Sequence, residues 1–203
     1  PICRTETRSD YTRPLDGRPV TIRTLDIGAD KQLDSDAEPD VVAPNPALGL
    51  RAIRYSLAQP EMFLVQLRAL LRASAFGSLQ ILIPMISHVH EIAETFRYLD
   101  LAKSQLRARG QAFDEHIKVG GMIEIPAAAL TLKVFLKYFD FLSIGTNDLI
   151  QYTLAIDRTD DAVALARDLK HGAIMRGWNW TGWFVTIVDQ HGHKVDEVPI
   201  MDV

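Results

Sequence analysis

A single cysteine, Cys3, is all that this 203-residue chain contains, so no disulfide can form within it. A disulfide-stapled secreted scaffold is excluded, and a reducing cytoplasm is the expected setting. No apolar run reaches the roughly 18 residues of a membrane span, so no membrane helix is expected. Pro1 to Arg13 is polar and lacks an apolar stretch, so no signal peptide is expected there. No run of Lys and Arg stands out and the net charge is −4, which argues against a nucleic-acid binder. Internal repeats and low-complexity tracts are missing too.

What is present is an ordinary globular composition, 47% hydrophobic and 24% charged, with material for a sizeable core. The one charge-biased stretch is acidic. Asp26, Asp30, Asp34, Asp36, Glu38 and Asp40 stand against Lys31 alone, and the run reads as a solvated loop.

Along the chain, strand and helix patterns alternate. Val20 to Leu25 is β-branched and alternating, as a strand is. A long loop to Pro46 follows, then a helix over about Ala47 to Leu57 and a second opened by Pro60. In that second helix Phe63, Leu67, Leu70 and Leu71 share one face. Leu79 to Ile83 is a buried-type strand closed by Pro84. Ser87 is placed to cap a helix carrying Val89, Ile92, Phe96 and Leu99, and Gly110 ends it. Val119 to Ile125 is a strand, Pro126 opens an Ala- and Leu-rich helix, and Phe139 to Ile144 is a strand followed by a helical stretch. This alternation predicts a parallel sheet covered by helices, without choosing between an open sheet and a barrel. Beyond Asp160 the pattern changes: Trp183 to Val188 and Lys194 to Ile200 read as a β-hairpin. His171, His191 and His193 lack the convergent ligand set of a metal site.

In a parallel α/β fold, sites form where strands end. Arg23 lies near the end of the first strand, and Arg51 in the turn region Asn45-Pro46 to Arg51. Glu124 ends one strand, Asn147 and Asp148 follow another, and Arg158 lies past the next helix. Singly, each arginine reads as a surface ion-pair partner, and Asp148 as a helix cap. Glu124 is harder to dismiss, because apolar residues flank it and an unpaired carboxylate there is costly. Together the set has a chemical sense. Two carboxylates on neighbouring strand ends can share a Mg2+, and three arginines can clamp a substrate bearing phosphate and carboxylate.

Five segments carry a resemblance. They are Val20 to Gly28 with Asp30-Lys31, Asn45 to Arg54, Leu70 to Gly77, Gly121 to Ala129 and Ser143 to Arg158. In order and without large gaps, from about Arg18 to Asp160, they resemble the phosphoenolpyruvate-utilising enzymes. The likeness is closest to the enzyme I family, the phosphoenolpyruvate–protein phosphotransferases of the sugar phosphotransferase system. Pyruvate phosphate dikinase and phosphoenolpyruvate synthase are relatives of it. The resemblance implies a TIM-type (β/α)8 barrel that binds phosphoenolpyruvate and Mg2+. It implies that Arg23 and Arg51 hold the phosphate and that Asn147 and Arg158 bind substrate. Glu124 and Asp148 are then the metal ligands, with Asp148 also against the substrate. In the intact family the phosphoryl group passes to a histidine on a separate phosphohistidine domain and on to a small phosphocarrier protein. The barrel commonly forms a homodimer.

A complete barrel of this kind takes roughly 250 residues. The expectation is therefore a partial barrel, about five of eight units. Residues 1–18 form an irregular lead-in, 19–160 the barrel part, and 161–203 an unrelated segment with a hairpin. None of the six histidines sits in a phosphohistidine motif, and Cys3 is not the equivalent of the family's general-acid cysteine. Phosphotransfer by this chain alone is accordingly not expected, and no catalytic residue is nominated. Two other readings remain at this point. One is a non-catalytic remnant or dimerisation module, since an incomplete barrel exposes strand edges. The other is a Mg2+-dependent lyase or aldolase of the pyruvate-enolate type, against which the Asn45–Arg54 and Thr146–Arg158 segments argue.

Overall fold

The computed structural model describes residues 19–27, 45 and 47–156, together with the backbone of two strands at 184–188 and 194–199. The chain divides into two compact units, Pro1–Thr153 and Leu154–Val203.

In the first unit four strands, β1 (Val20–Arg23), β2 (Leu79–Ile83), β3 (Lys118–Ile123) and β4 (Phe141–Ile144), form one sheet in the order β1-β2-β3-β4. Every neighbouring pair is parallel, with Ile22 against Ile81, Ile81 against Val119, and Gly121 against Leu142. Sequential order with every connection helical is the βα pattern that the sequence predicts. The described residues therefore hold four strand-to-helix units.

β2 lies in the middle of the packing. Leu79, Ile81, Leu82 and Ile83 are all buried, as expected of a parallel strand covered on both faces. Helices α1 (Ala52–Ala58), α2 (Pro60–Ser74) and α3 (Val89–Ala108) pack on one another beside it. The α2 stripe of Phe63, Leu67, Leu70 and Leu71 is fully buried. Each such side chain contributes about 1.5–3 kcal/mol over an exposed one. Phe63 meets Tyr98 of α3 edge-on at 6.0 Å.

Local chemistry sets the boundaries. Pro60 occupies the first turn of α2, where its missing N–H costs nothing. α3 ends on Gly110 with φ +63, where the Gly110 amide donates to the Arg107 carbonyl and Gln111 N–H to Leu106. These two bonds make a Schellman stop, for which glycine is the favoured residue. The α3 start differs from expectation. His88, not Ser87, is the capping position, and the Glu91 carboxylate reaches back to both amides. Val89 is exposed instead of joining the apolar stripe.

β3 is narrow by design of its sequence. A Cβ on Gly120 would lie 2.3 Å from the Phe141 ring, and one on Gly121 would lie 2.8 Å from Phe139. The rings of the next unit therefore rest directly on the β3 backbone. The Ala-rich segment after Pro126 forms two short helices, α4 (Pro126–Leu130) and α5 (Leu132–Phe135), rather than one. Phe135 of α5 packs against Phe139 at 6.0 Å, which anchors the second of them. α6 (Thr146–Leu154) follows β4.

In the second unit β5 (Phe184–Val188) and β6 (Lys194–Pro199) pair antiparallel, with a register shift at Ile187/Val188. The three histidines 171, 191 and 193 lie outside the described residues. Among the described residues no helix is long and apolar enough to cross a membrane.

Candidate functional site

The four parallel strands end on one side of the sheet, and their exits carry most of the sequence-predicted residues. Arg23 is the last residue of β1, Glu124 follows β3, and Asp148 lies in the first turn of α6 just beyond β4. Arg51 arrives from the turn before α1 with extended backbone, φ −139 and ψ 166.

The helix predicted from Ala47 begins only at Ala52, for a visible reason. Ala52 adopts φ 50, in the left-handed region, and its amide donates to the Ile27 carbonyl at 3.1 Å. That bond ties the Arg51 segment to the exit of β1. The turn is also held from α6, since the Tyr152 hydroxyl donates to the Ala47 carbonyl.

Arg51 is largely buried and donates to Asp26 Oδ1 at 3.0 Å. It also lies 3.7 Å from Asp148 Oδ2. Arg23, half exposed, pairs with the other Asp26 oxygen at 3.0 Å. Asp26 thus bridges the two arginines, with a side chain only 8% exposed. It belongs to the acidic stretch that reads as a solvated loop, and its burial departs from that expectation. Sequence reasoning missed it as part of the site; its one signal was its place three residues past Arg23 at a strand end. Burial pulls the Arg51 pKa down, but the hydrogen bond it donates to Asp26 and the charges of Asp26 and Asp148 outweigh this and raise it.

Glu124 is 1% exposed. Its Oε1 accepts the Met85 amide at 2.6 Å, at the exit of β2. Its Oε2 packs over Gly145, where a Cβ would come within 2.5 Å. Burial pushes the Glu124 carboxyl up to about 7. The Met85 hydrogen bond opposes that rise, while the charges of Asp148 and Asp26 add to it. Met85 and Gly145, like Asp26 and Tyr152, were not nominated as site residues from sequence. Asn147 is exposed in the first turn of α6, beside Asp148 in the chain. Arg158 lies outside the described residues.

The arrangement brings two guanidinium groups and three carboxylates to the strand exits. Such a set can grip an anion by charge-assisted hydrogen bonds and can offer hard oxygen ligands to a cation.

Residues 5–196 match the family described as PEP-utilising enzyme, PEP-binding domain. The chain is also similar to curated proteins named phosphoenolpyruvate-protein phosphotransferase. One from Cupriavidus necator is 61% identical over 162 residues, covering 80% of this chain and 28% of that protein. One from Bacillus subtilis is 45% identical over 180 residues, covering 89% of this chain and 30% of that protein. The chain therefore spans under a third of the length of these relatives. A solved citrate lyase from Burkholderia xenovorans overlaps 56% of this chain and 34% of its own, at 22% identity and a TM-score of 0.39, too loose to argue from.

Proposed function

The chain belongs to the PEP-utilising enzymes, by their PEP-binding domain, and on that premise we propose that it binds phosphoenolpyruvate with Mg2+ for phosphoryl transfer to a protein histidine. The observation that carries the proposal is the chain of groups Arg23–Asp26–Arg51–Asp148 beside buried Glu124. Arg23 and Arg51 hold the phosphate, and each has N–H donors beyond the one given to Asp26. Asn147 and Arg158 complete the substrate contacts. Asp148 serves both substrate and metal.

Glu124 and Asp148 are the metal ligands in this reading, and the donor set fits. Both are hard carboxylates, and the buried Glu124, with its carboxyl lifted to about 7, would be relieved by a neighbouring cation. Among the described residues no group of three or more His, Cys, Asp and Glu is arranged to hold a metal by itself. Mg2+ takes few protein ligands and completes its shell with substrate oxygens and water. When bound, Mg2+ supplies neutralisation of phosphate charge. Phosphoryl transfer draws mainly on positioning and charge neutralisation. The arginines and carboxylates of this chain are suited to both.

The surrounding assignments are proposals of the same kind. Residues 19–160 form part of a TIM-type barrel, which the sequential parallel strand order supports, with a lead-in before and a separate segment after. The acceptor histidine is on a separate domain, the next recipient is a small phosphocarrier protein, and pairing is through the barrel as a homodimer. The setting is cytoplasmic sugar uptake. A lyase reading is not favoured, because relatives at 45% to 61% identity carry the phosphotransferase name.

Calorimetric titration with phosphoenolpyruvate, with and without Mg2+, tests the proposal. Heat is expected, Arg51→Ala should abolish most of it, and Glu124→Ala should remove its Mg2+ dependence. A folded sample that gives no heat at millimolar ligand overturns the binding claim.

A further inference from the structure

Asp26 emerges from the geometry, we infer, as the positioning residue that holds Arg23 and Arg51 together as one phosphate clamp. This rests on the phosphate role proposed for those arginines. The two come from separate segments, one ending β1 and the other preceding α1. Two guanidinium groups brought together without a ligand repel each other. The Asp26 carboxylate, nearly buried, gives one oxygen to each at 3.0 Å. It thereby offsets the repulsion and fixes both side chains before any substrate arrives. Each guanidinium has five N–H donors and gives one to Asp26, which leaves donors for a phosphate. A receptor ordered in advance loses less freedom when it binds.

Two effects oppose each other when the Asp26 charge is removed. A negative charge beside an anion site is unfavourable, so its loss by itself tightens anion binding. The loss of the bridge loosens it. Asp26→Asn retains one acceptor oxygen but turns an NH2 donor toward the second arginine, so only one of the two can stay bridged. The positioning role predicts that loosening wins.

The test is titration of the full chain and the Asp26→Asn and Asp26→Glu variants, followed by NMR. The probes are phosphoenolpyruvate, inorganic phosphate and pyruvate, the last lacking the phosphate. Asp26→Asn is expected to weaken phosphoenolpyruvate and inorganic phosphate about tenfold or more, since clamp order is lost for both. Pyruvate should be retained within about twofold, because its contacts do not run through the clamp. Asp26→Glu keeps the charge and both oxygens and should recover phosphate affinity relative to Asn. It also keeps the test open if Asn fails to fold. Phosphate binding in Asp26→Asn as tight as in the unaltered chain overturns the inference, as does an equal loss for pyruvate. So does an Asp26→Glu variant that folds and binds no better than Asn. If the unaltered chain binds no phosphoenolpyruvate, it is the underlying reading that fails.

Discussion

Met85 donates its amide to Glu124 Oε1 at 2.6 Å from left-handed backbone, φ 61. A non-glycine residue in that region costs about 1–2 kcal/mol, and such strain concentrates at functional sites. Ala52, the residue after Arg51, is left-handed as well. Among the described residues, two of the three non-glycine residues with positive φ therefore flank groups of the proposed site. The backbone is bent where it must deliver an amide to one side chain and a guanidinium to the next.

The balance at Glu124 predicts a pH effect on stability. Its carboxyl rises from the ordinary 4.5 to about 7 on folding, chiefly through burial. The folded chain then binds the proton more tightly than the unfolded chain. The associated stability is fully present below about 4.5 and is lost as pH rises through about 7. The total is on the order of 3 kcal/mol. Urea midpoints measured from pH 4.5 to 8 should fall for the unaltered chain and stay flatter for Glu124→Gln. Parallel curves for the two proteins would show that another group carries the dependence. Added Mg2+ should recover stability at pH 8 in the unaltered chain and not in the variant.

Glu91 makes a separate prediction, of stability without affinity. Its nearly buried carboxylate accepts the Ser87 amide at 2.7 Å, the Ser87 hydroxyl at 2.9 Å and the His88 amide at 3.3 Å. Those groups otherwise stand unsatisfied at the start of α3. Glu91→Ala should cost about 1–2 kcal/mol in denaturant unfolding, the usual scale for a lost cap. Phosphoenolpyruvate affinity should change less than about twofold, since no group of the clamp is removed. An unchanged midpoint would mean that water satisfies these donors as well as Glu91 does.

Much of the fold was legible because its punctuation is local. Pro60 opening α2, Gly110 closing α3 and the apolar Leu79–Ile83 strand all act within a few residues of themselves. The site was legible as a list of residues at strand ends, but not as a circuit. Asp26 meets Arg51 across 25 positions, and Met85 meets Glu124 across 39. Neither periodicity nor composition carries such pairings, so in the sequence Asp26 reads as one more charge in a solvated run. The start of α1 was misplaced for a related reason. The left-handed turn at Ala52 has no glycine to announce it, and only its bond to Ile27 explains it.

Tyr152 links α6 to the turn that delivers Arg51. Burial raises the phenol pKa, with the positive charge of Arg51 opposing, so the hydroxyl is a neutral donor at ordinary pH. Its partner is the Ala47 carbonyl. Tyr152→Phe keeps the ring and removes the tie. Stability should drop by about 1 kcal/mol, the net value of one hydrogen bond. Phosphoenolpyruvate affinity should fall about three- to tenfold, as the Arg51 turn gains freedom. Calorimetry beside a denaturation curve separates the two effects. A loss of stability with unaltered affinity would show that the Ala52–Ile27 bond alone suffices to place Arg51.

Gly145 gives the sharpest steric test of the carboxylate site. It follows β4, and its own amide donates to the Ile123 carbonyl at 3.0 Å, which brings it against the exit of β3. A Cβ at this position would fall 2.5 Å from Glu124 Oε2, 2.7 Å from Glu124 Cβ and 3.2 Å from Met122 Sδ. Met122 can yield, being flexible, but Glu124 is fixed from the other side by the Met85 amide. Gly145→Ala must therefore either break that hydrogen bond or move β4. Overpacking of this kind costs about 1–3 kcal/mol. The same displacement should weaken Mg2+-dependent phosphoenolpyruvate binding about tenfold or more, while inorganic phosphate without Mg2+, held by the arginines, is bound nearly as before. Full Mg2+ dependence retained in a folded Gly145→Ala protein would remove Glu124 from the metal site.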